Sequence, residues 1–335
     1  MEHTGNNNVS SPSEKTINDL PAEILQEIFS YCSVTDYVDS FVFVCKRWKQ
    51  ILDEDVLLWK DKWFVWKDED KNIDMRQITT NCPNLKSFKL FARSGLYLPV
   101  LESIQENVHK LEVQGPCLGS FRSVIQFLID NCPQLEHLRF SCVRFENYNI
   151  FSRFEKLKVL ILEGCLNFSG CHLRAIADGC KGLSSISVPN CMDMLDSDVA
   201  YFIKSKKTFL EVLELDGFGL NGSAFDDISE CLHLYKLSIN NASTMTVGML
   251  GSIINLPSLK FLRMMMCFLN LKDFVTVWRK GGPCNNLIEL DLEFYHYFNP
   301  SMISVIMERC PKIKRIIYMR KNHVPLHARL IRGTK

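Results

Sequence analysis

The chain has 335 residues, 47% of them hydrophobic, with 39 Lys and Arg against 38 Asp and Glu and a formal net charge of +1. That balance carries no footprint for nucleic acid or a charged membrane surface, and no apolar run reaches the roughly 18–20 residues of a helical membrane span. The length suffices for one small domain joined to a longer one.

Residues 1–16, rich in Asn, Ser and Thr, are expected to be a disordered tail. Leu20-Pro21 opens a helix, with Pro in the first turn, where its missing N–H costs nothing, and Glu23 favourable to the helix dipole. Ile24, Leu25, Ile28 and Phe29 recur at helical spacing and share a face. After a polar break at Ser33–Asp36, a second helix carries Tyr37, Val38, Phe41, Val44, Cys45, Trp48 and Ile51 on its apolar side. Lys46, Arg47 and Lys49 form its solvated side. Val56, Leu57 and Trp59 begin a third, short helix. A unit this small buries only about 60% of its chain surface, so part of the apolar set is expected to stay exposed and mark a partner site. Residues 61–80 are expected to be a junction in which Trp63, Phe64 and Trp66 pack the small unit onto the next domain.

From Leu85 a Leu-x-x-Leu-x-Leu-like pattern recurs. It reads Leu85/Phe88/Leu90, Val108/Leu111/Val113, Leu135/Leu138/Phe140, Leu157/Leu160/Leu162 and Leu183/Ile186/Val188. It continues as Leu210/Leu213/Leu215, Leu234/Leu237/Ile239, Leu259/Leu262/Met264, Leu287/Leu290/Leu292 and Ile313/Ile316/Tyr318. Successive starts lie 22 to 28 residues apart, the signature of leucine-rich repeats. Helical runs fall between the units at Phe121–Asn131, Asp198–Lys206, Phe225–Cys231, Thr246–Ile254, Leu271–Arg279 and Met302–Arg309. The expected fold is therefore α/β: a three-helix N-terminal domain at 17–60, then about ten repeats over 81–319 forming a right-handed horseshoe with a parallel inner sheet and outer helices.

The cysteines follow the same period. Cys82, Cys132, Cys180, Cys231, Cys284 and Cys310 precede the first apolar residue of a repeat by three, and Cys165, Cys191 and Cys267 follow it by eight. Small buried thiols at a fixed phase are expected, rather than a disulfide framework or a zinc site, since no Cys-x-x-Cys pair occurs.

The order Leu20-Pro21, Glu23-Ile24-Leu25, Ile28-Phe29, then Val44-Cys45-Lys46-Arg47-Trp48 and Leu58-Trp59, closely resembles an F-box. Cys32 stands where Leu is common, and the segment between Tyr31 and Val44 is slightly long. The resemblance implies docking onto the Skp-family adaptor of cullin–RING ubiquitin ligases. Leu20, Pro21, Ile24, Leu25, Ile28 and Phe29 would bury into the adaptor, and Val44, Trp48 and Trp59 would support the fold. Cullin and RING subunits would be reached through the adaptor, with the chain in cytoplasm or nucleus. A Skp-bound scaffold without cullin, and a plain repeat binder whose front domain is only a cap, are the alternatives.

No phosphate loop, His-Glu-x-x-His or Gly-x-Ser-x-Gly is present, so no catalytic residue, metal or cofactor is expected. The adjacent Cys171 and His172 read as the start of a helix. An unknown protein substrate is expected on the concave face, where alternation along each strand turns out the residues between and after the core positions. The candidates are Phe91, Arg139, Val159, Ile161, Glu214, Asp216, Phe261, Arg263, Met265, Glu289, Asp291 and Glu293, apolar anchors between charged zones. Residues 320–335 are basic and are expected to cap the array or to trail across its face.

Overall fold

The computed structural model describes residues 15–67, 69, 74–91, 98–104, 108–115, 121–145, 149–191, 194–218, 220, 222–241, 243–282, 284–293, 301–319 and 325–329. The expected tail is outside them up to residue 14.

The N-terminal domain comprises α1 (Ala22–Ser30), α2 (Val34–Asp36), a π-helical turn (Tyr37–Phe41), α3 (Val42–Val44), α4 (Lys46–Glu54) and α5 (Val56–Trp59). Pro21 occupies the N-cap of α1 rather than its first turn. The second helix is not continuous. Cys45 is extended (φ −162°, ψ 166°) and serves as the N-cap of α4, so α3 and α4 are separate and Val44 ends on the outside. Ser33 and Asp36 close a reciprocal capping box that starts α2. The core holds Leu25, Phe29, Tyr37, Leu52 and Trp59, each at most 3% exposed. Phe29 lies 4.9 Å from Trp48 and 5.0 Å from Phe41, ring centre to centre, and Trp59 donates its indole N–H to the Leu52 carbonyl at 2.7 Å. Arg47, expected on the solvated side, instead donates to the carbonyls of Asn18 and Leu20.

Twelve strands form one sheet in chain order. They are β1 (Phe64–Lys67), β2 (Ser87–Phe91), β3 (Lys110–Gln114), β4 (His137–Ser141), β5 (Val159–Glu163), β6 (Ser185–Val188), β7 (Val212–Asp216), β8 (Lys236–Asn240), β9 (Phe261–Met264), β10 (Glu289–Leu292), β11 (Arg315–Met319) and β12 (Pro325–Arg329). The first eleven are parallel, and β12 returns antiparallel to β11. Between them run α6 (Met75–Asn81), α7 (Leu98–Ile104), α8 (Phe121–Asn131), α9 (Gly170–Gly179), α10 (Asp196–Lys206), α11 (Val247–Ile254), α12 (Leu271–Lys280) and α13 (Ser301–Arg309). Phe225–Cys231 is not an α-helix: two short 3-10 turns, Ser223–Phe225 and Ile228–Glu230, take its place. Helices are about 10 Å across and strands about 4.8 Å apart, so stacking a strand with a helix or helical turn in successive repeats curves the array with the sheet inside.

The sheet begins earlier than the repeat pattern. β1 lies in the stretch expected as a junction and pairs with β2 in register Phe64↔Phe88; Phe64 and Trp66 are buried. Only residues 60–63 separate the last helix of the small domain from the first strand. The core is continuous from there. Phe88, Leu90, Leu111, Leu138, Leu160, Leu162, Ile186, Leu237 and Leu290 are all sealed from solvent, and the phased cysteines are buried beside them. Their thiols use nearby carbonyls: Cys180 donates to Phe151 at 3.2 Å and Cys284 to Ile254 at 3.0 Å. The thirteen described cysteines are all free. At the far end, β12 covers the edge of β11, which would otherwise offer unpaired N–H and C=O groups.

Candidate functional site

The N-terminal domain divides its apolar residues into two sets. Leu25, Phe29, Trp48 and Trp59 face inward and are buried. On the outside are Pro21 and Ile24, with Leu20 and Ile28 half-buried. Of the six residues expected at an adaptor, then, Leu25 and Phe29 are occupied in the domain's own core. Val44, expected to support the fold, is 50% exposed because the chain breaks at Cys45. Tyr31, Phe43, Val56 and Leu57 are exposed as well, Tyr31 and Leu57 by more than 80%. Sequence reasoning does not single out these four as surface residues. Tyr31 was within reach, since it follows Ile24 and Ile28 at helical spacing on one face of α1.

On the sheet, register determines which residues meet. One row crosses every repeat: Lys89, Glu112, Arg139, Ile161, Ser187, Glu214, Ser238, Arg263, Asp291 and Ile317 are neighbours on consecutive strands. Ion pairs run along it. Lys89 Nζ lies 3.2 Å from Glu112, Arg139 is 2.6 Å from Glu163, Lys236 pairs with Glu214, and Arg263 reaches Asp291 at 3.2 Å and Glu293 at 3.5 Å. Arg315 pairs with Glu289. The acidic stretch Glu289, Asp291 and Glu293 is therefore bracketed by Arg263 and Arg315, not an open anionic patch. Strand periodicity identifies the face, but the pairing needs the neighbouring strand, which is why Glu112, Ser187 and Ser238 escape a reading of single repeats.

The middle of the row opens into a groove of about 580 Å³, walled by Arg139, Ile161, Glu163, Glu214, Lys236, Arg263, Met265 and Met266. Five expected candidates are thus brought together here: Arg139, Ile161, Glu214, Arg263 and Met265. Phe91, Val159 and Phe261 are half-buried on their strands outside its wall. Asp216 does not line the groove. It is 1% exposed, accepts the Phe218 N–H at 2.9 Å and both bonds from the Asn241 amide at 2.9 and 3.0 Å. Asp216 therefore locks the turn after β7. Burial would raise the Glu214 carboxyl, but hydrogen bonds from Lys236 and Ser187 outweigh it and hold the group below its ordinary range. For Asp291 burial wins, and its pKa is pushed up despite the Glu293 backbone N–H and Arg263.

The Cys171–His172 pair splits. Cys171 faces out, whereas His172 is buried and its Nδ1 accepts the Ser169 N–H at 3.1 Å, capping α9.

Residues 17–64 match the F-box-like family model. The N-terminal unit is an F-box-like domain. A curated relative, F-box DNA helicase 1 of Gallus gallus, is 42% identical over 53 residues, which is 16% of this chain and 4% of that protein. The chain thus shares with that relative a small part of the relative's length. The leucine-rich-repeat protein LegL7 from Legionella pneumophila is 15% identical over 81% of this chain and 89% of its own, with a TM-score of 0.44. A chain of the yeast Rad7 and Elc1 complex is 13% identical over 93% of this chain and 89% of its own, with a TM-score of 0.45. The molecule is an F-box-like domain continuous with a leucine-rich-repeat array.

Proposed function

We propose that this chain is the substrate-recognition subunit of a Skp–cullin–F-box ubiquitin ligase. The observation that carries the reading is the division of apolar residues in the F-box-like domain. Its core is closed by Phe29, Trp48 and Trp59, yet Ile24, Tyr31, Phe43, Val44, Val56 and Leu57 remain on the outside. A folded domain gains nothing by exposing aromatics that its own core does not need, and such a surface suits a protein partner. The partner in this reading is a Skp-family adaptor, with cullin and RING subunits reached through it. Cargo would sit on the sheet face, and rate enhancement would come from proximity to a ubiquitin-charged enzyme rather than from chemistry on this chain. The free thiols suit a reducing compartment, cytosol or nucleus.

The test is co-purification of the full chain beside an Ile24→Asp/Leu57→Asp variant, scoring adaptor and cullin. The reading expects both with the wild type and neither with the variant. Adaptor without cullin would support a ligase-independent scaffold. Absence of both from folded wild type would leave a plain repeat binder.

A further inference from the structure

The residue two places past the last core position of a strand closes several repeats in a left-handed backbone conformation. Gly115, Gly164, Asn190 and Asn241 occupy it in four of them, with φ between 60° and 121° for the first three and 53° for Asn241. Gly avoids the Cβ clash and Asn offsets it with local hydrogen bonds. Two repeats place other residues there: the small Cys142 after β4, with φ 60°, and the long Met266 after β9, with φ 54°. The Met266 backbone N–H still continues the ladder to the Glu293 carbonyl, so the backbone requirement is the one Gly or Asn meets elsewhere without strain. Packing does not require the methionine either, because Met266 is 38% exposed. A strained residue that presents an exposed apolar side chain to a groove calls for a ligand. Beside it are Met265, in the groove wall, and Phe268, 46% exposed. Thioethers adapt to varied apolar partners.

The ion pairs flanking this position are layered. Lys236 is 45% exposed above Glu214 at 22%, Arg263 is 44% exposed above Asp291 at 12% and Glu293 at 24%, and Arg315 is 50% exposed above Glu289 at 22%. In each of these pairs the carboxylate is the more buried partner and the cationic side chain the more exposed one. The Arg139–Glu163 pair, on the other side of the groove, reverses the order at 29% and 48%. Arg263 spends Nε and Nη2 on its two carboxylates, which leaves guanidinium donors to engage a further one.

We infer that Met265 and Met266, with Lys236 and Arg263, form a specificity subsite for an extended acidic segment of the cargo polypeptide. An apolar side chain of the segment sits on the methionine pair and a neighbouring carboxylate meets the two cations. The inference rests on the cargo-subunit reading and deepens it.

The experiment selects from a displayed library of random 12-residue peptides against the full-length chain, with adaptor co-purification scored in the same preparation. Wild type is expected to enrich peptides with Leu, Met or Phe next to Asp or Glu. Synthetic copies should bind Met266→Asn at least tenfold more weakly, although that variant melts at a higher temperature because Asn relieves the backbone strain. Lys236→Gln should weaken them likewise. Loss of binding together with a gain in stability is the pattern that a purely structural methionine would not produce. Enrichment of basic or uncharged peptides, a requirement for phosphorylated residues, or affinity unchanged in Met266→Asn would each overturn the subsite. So would an adaptor-competent chain that enriches no peptide, which leaves the ligase reading standing. Acidic enrichment without adaptor keeps the subsite and removes the ligase reading.

Discussion

The side-chain amide of Asn84, in the turn before β2, donates to the backbone carbonyl of Asp53 at 2.5 Å. That carbonyl belongs to the last turn of α4, where helical geometry leaves C=O groups without a partner. The repeat array therefore caps an F-box helix. Lys62 does the same for α1, its Nζ reaching the carbonyls of Ser30 and Cys32 at 2.6 Å each, and its charge complements the negative end of the helix. With β1 already in the sheet, these bonds tie the array directly to the F-box-like domain.

Asn84→Ala leaves the Asp53 carbonyl half-buried and unpaired, which costs about 1–2 kcal/mol. Amides of α4 should exchange roughly tenfold faster in native-state hydrogen exchange, since about 1.4 kcal/mol corresponds to a factor of ten. Exchange should be unchanged in β8 and β9, far from the junction.

Phe29 and Ile24 sit one turn or so apart on α1 but belong to opposite sets. Phe29→Ala removes a ring that Trp48 and Phe41 enclose and should cost about 3–5 kcal/mol. Ile24→Asp, at an exposed first-turn position where an acid suits the helix dipole, should stay within about 0.5 kcal/mol of wild type. Thermal unfolding followed by near-ultraviolet circular dichroism separates the two. A large loss in Ile24→Asp would show that this side chain serves the core.

Burial pushes the thiols of Cys82, Cys132, Cys165, Cys180 and Cys191 up to about 12. Almost no thiolate exists on them near neutrality, and the thiolate is the reactive form. A water-soluble disulfide reagent should titrate the exposed Cys142 and Cys171 quickly in the native protein. The five raised thiols should appear only on unfolding.

Burial also lowers the pKa of His109, His137 and His172 below the ordinary 6.5. The unfolded chain then binds protons that the folded chain does not. Stability is full above pH 6.5, falls as pH drops from there toward the folded values, and levels off below them. Beside His137, Lys110, Lys89 and Arg139 add to the depression while Glu112 opposes it. His137→Gln should flatten part of the slope of melting temperature against pH in that window. An unaltered slope would assign the effect to the other two histidines.

Lys206 is 1% exposed, and its Nζ donates to the Cys180 carbonyl at 2.6 Å, past the end of α9. Desolvation lowers its pKa below 10.5. For a lysine lowered in the fold the penalty is complete below the folded value and is relieved as pH rises toward 10.5. Lys206→Met trades the hydrogen bond for an uncharged side chain of similar length, so stability at neutral pH should change by no more than about 1–2 kcal/mol. The alkaline rise in stability should shrink, as denaturant unfolding at several pH values would measure.

Much of this molecule is legible in one dimension because its forces are local and periodic. Leu111, Leu138 and Leu160 recur at a spacing that only a stacked strand-and-helix unit satisfies, and the buried cysteines keep the same phase. The order of residues from Leu20 to Trp59 likewise specifies a helical unit with an apolar surplus, though not the break at Cys45. Tertiary structure decided what periodicity leaves open. Whether Phe29 or Ile24 faces out depends on which ring fills the centre of the domain, and Val44 is outside because the chain turns at Cys45. Asp216 looks like its neighbours on the concave face until the Asn241 amide, one strand away, buries it in a turn. Glu289, Asp291 and Glu293 look like an acidic patch until register sets Arg263 and Arg315 beside them. The same limit hides the strain at Met266, since a backbone angle is imposed by the ladder to the next repeat and leaves no mark on the residue's own letter. Spacing along a chain encodes which side chains are buried; which charges meet across strands is a property of distance, and only the assembled sheet sets it.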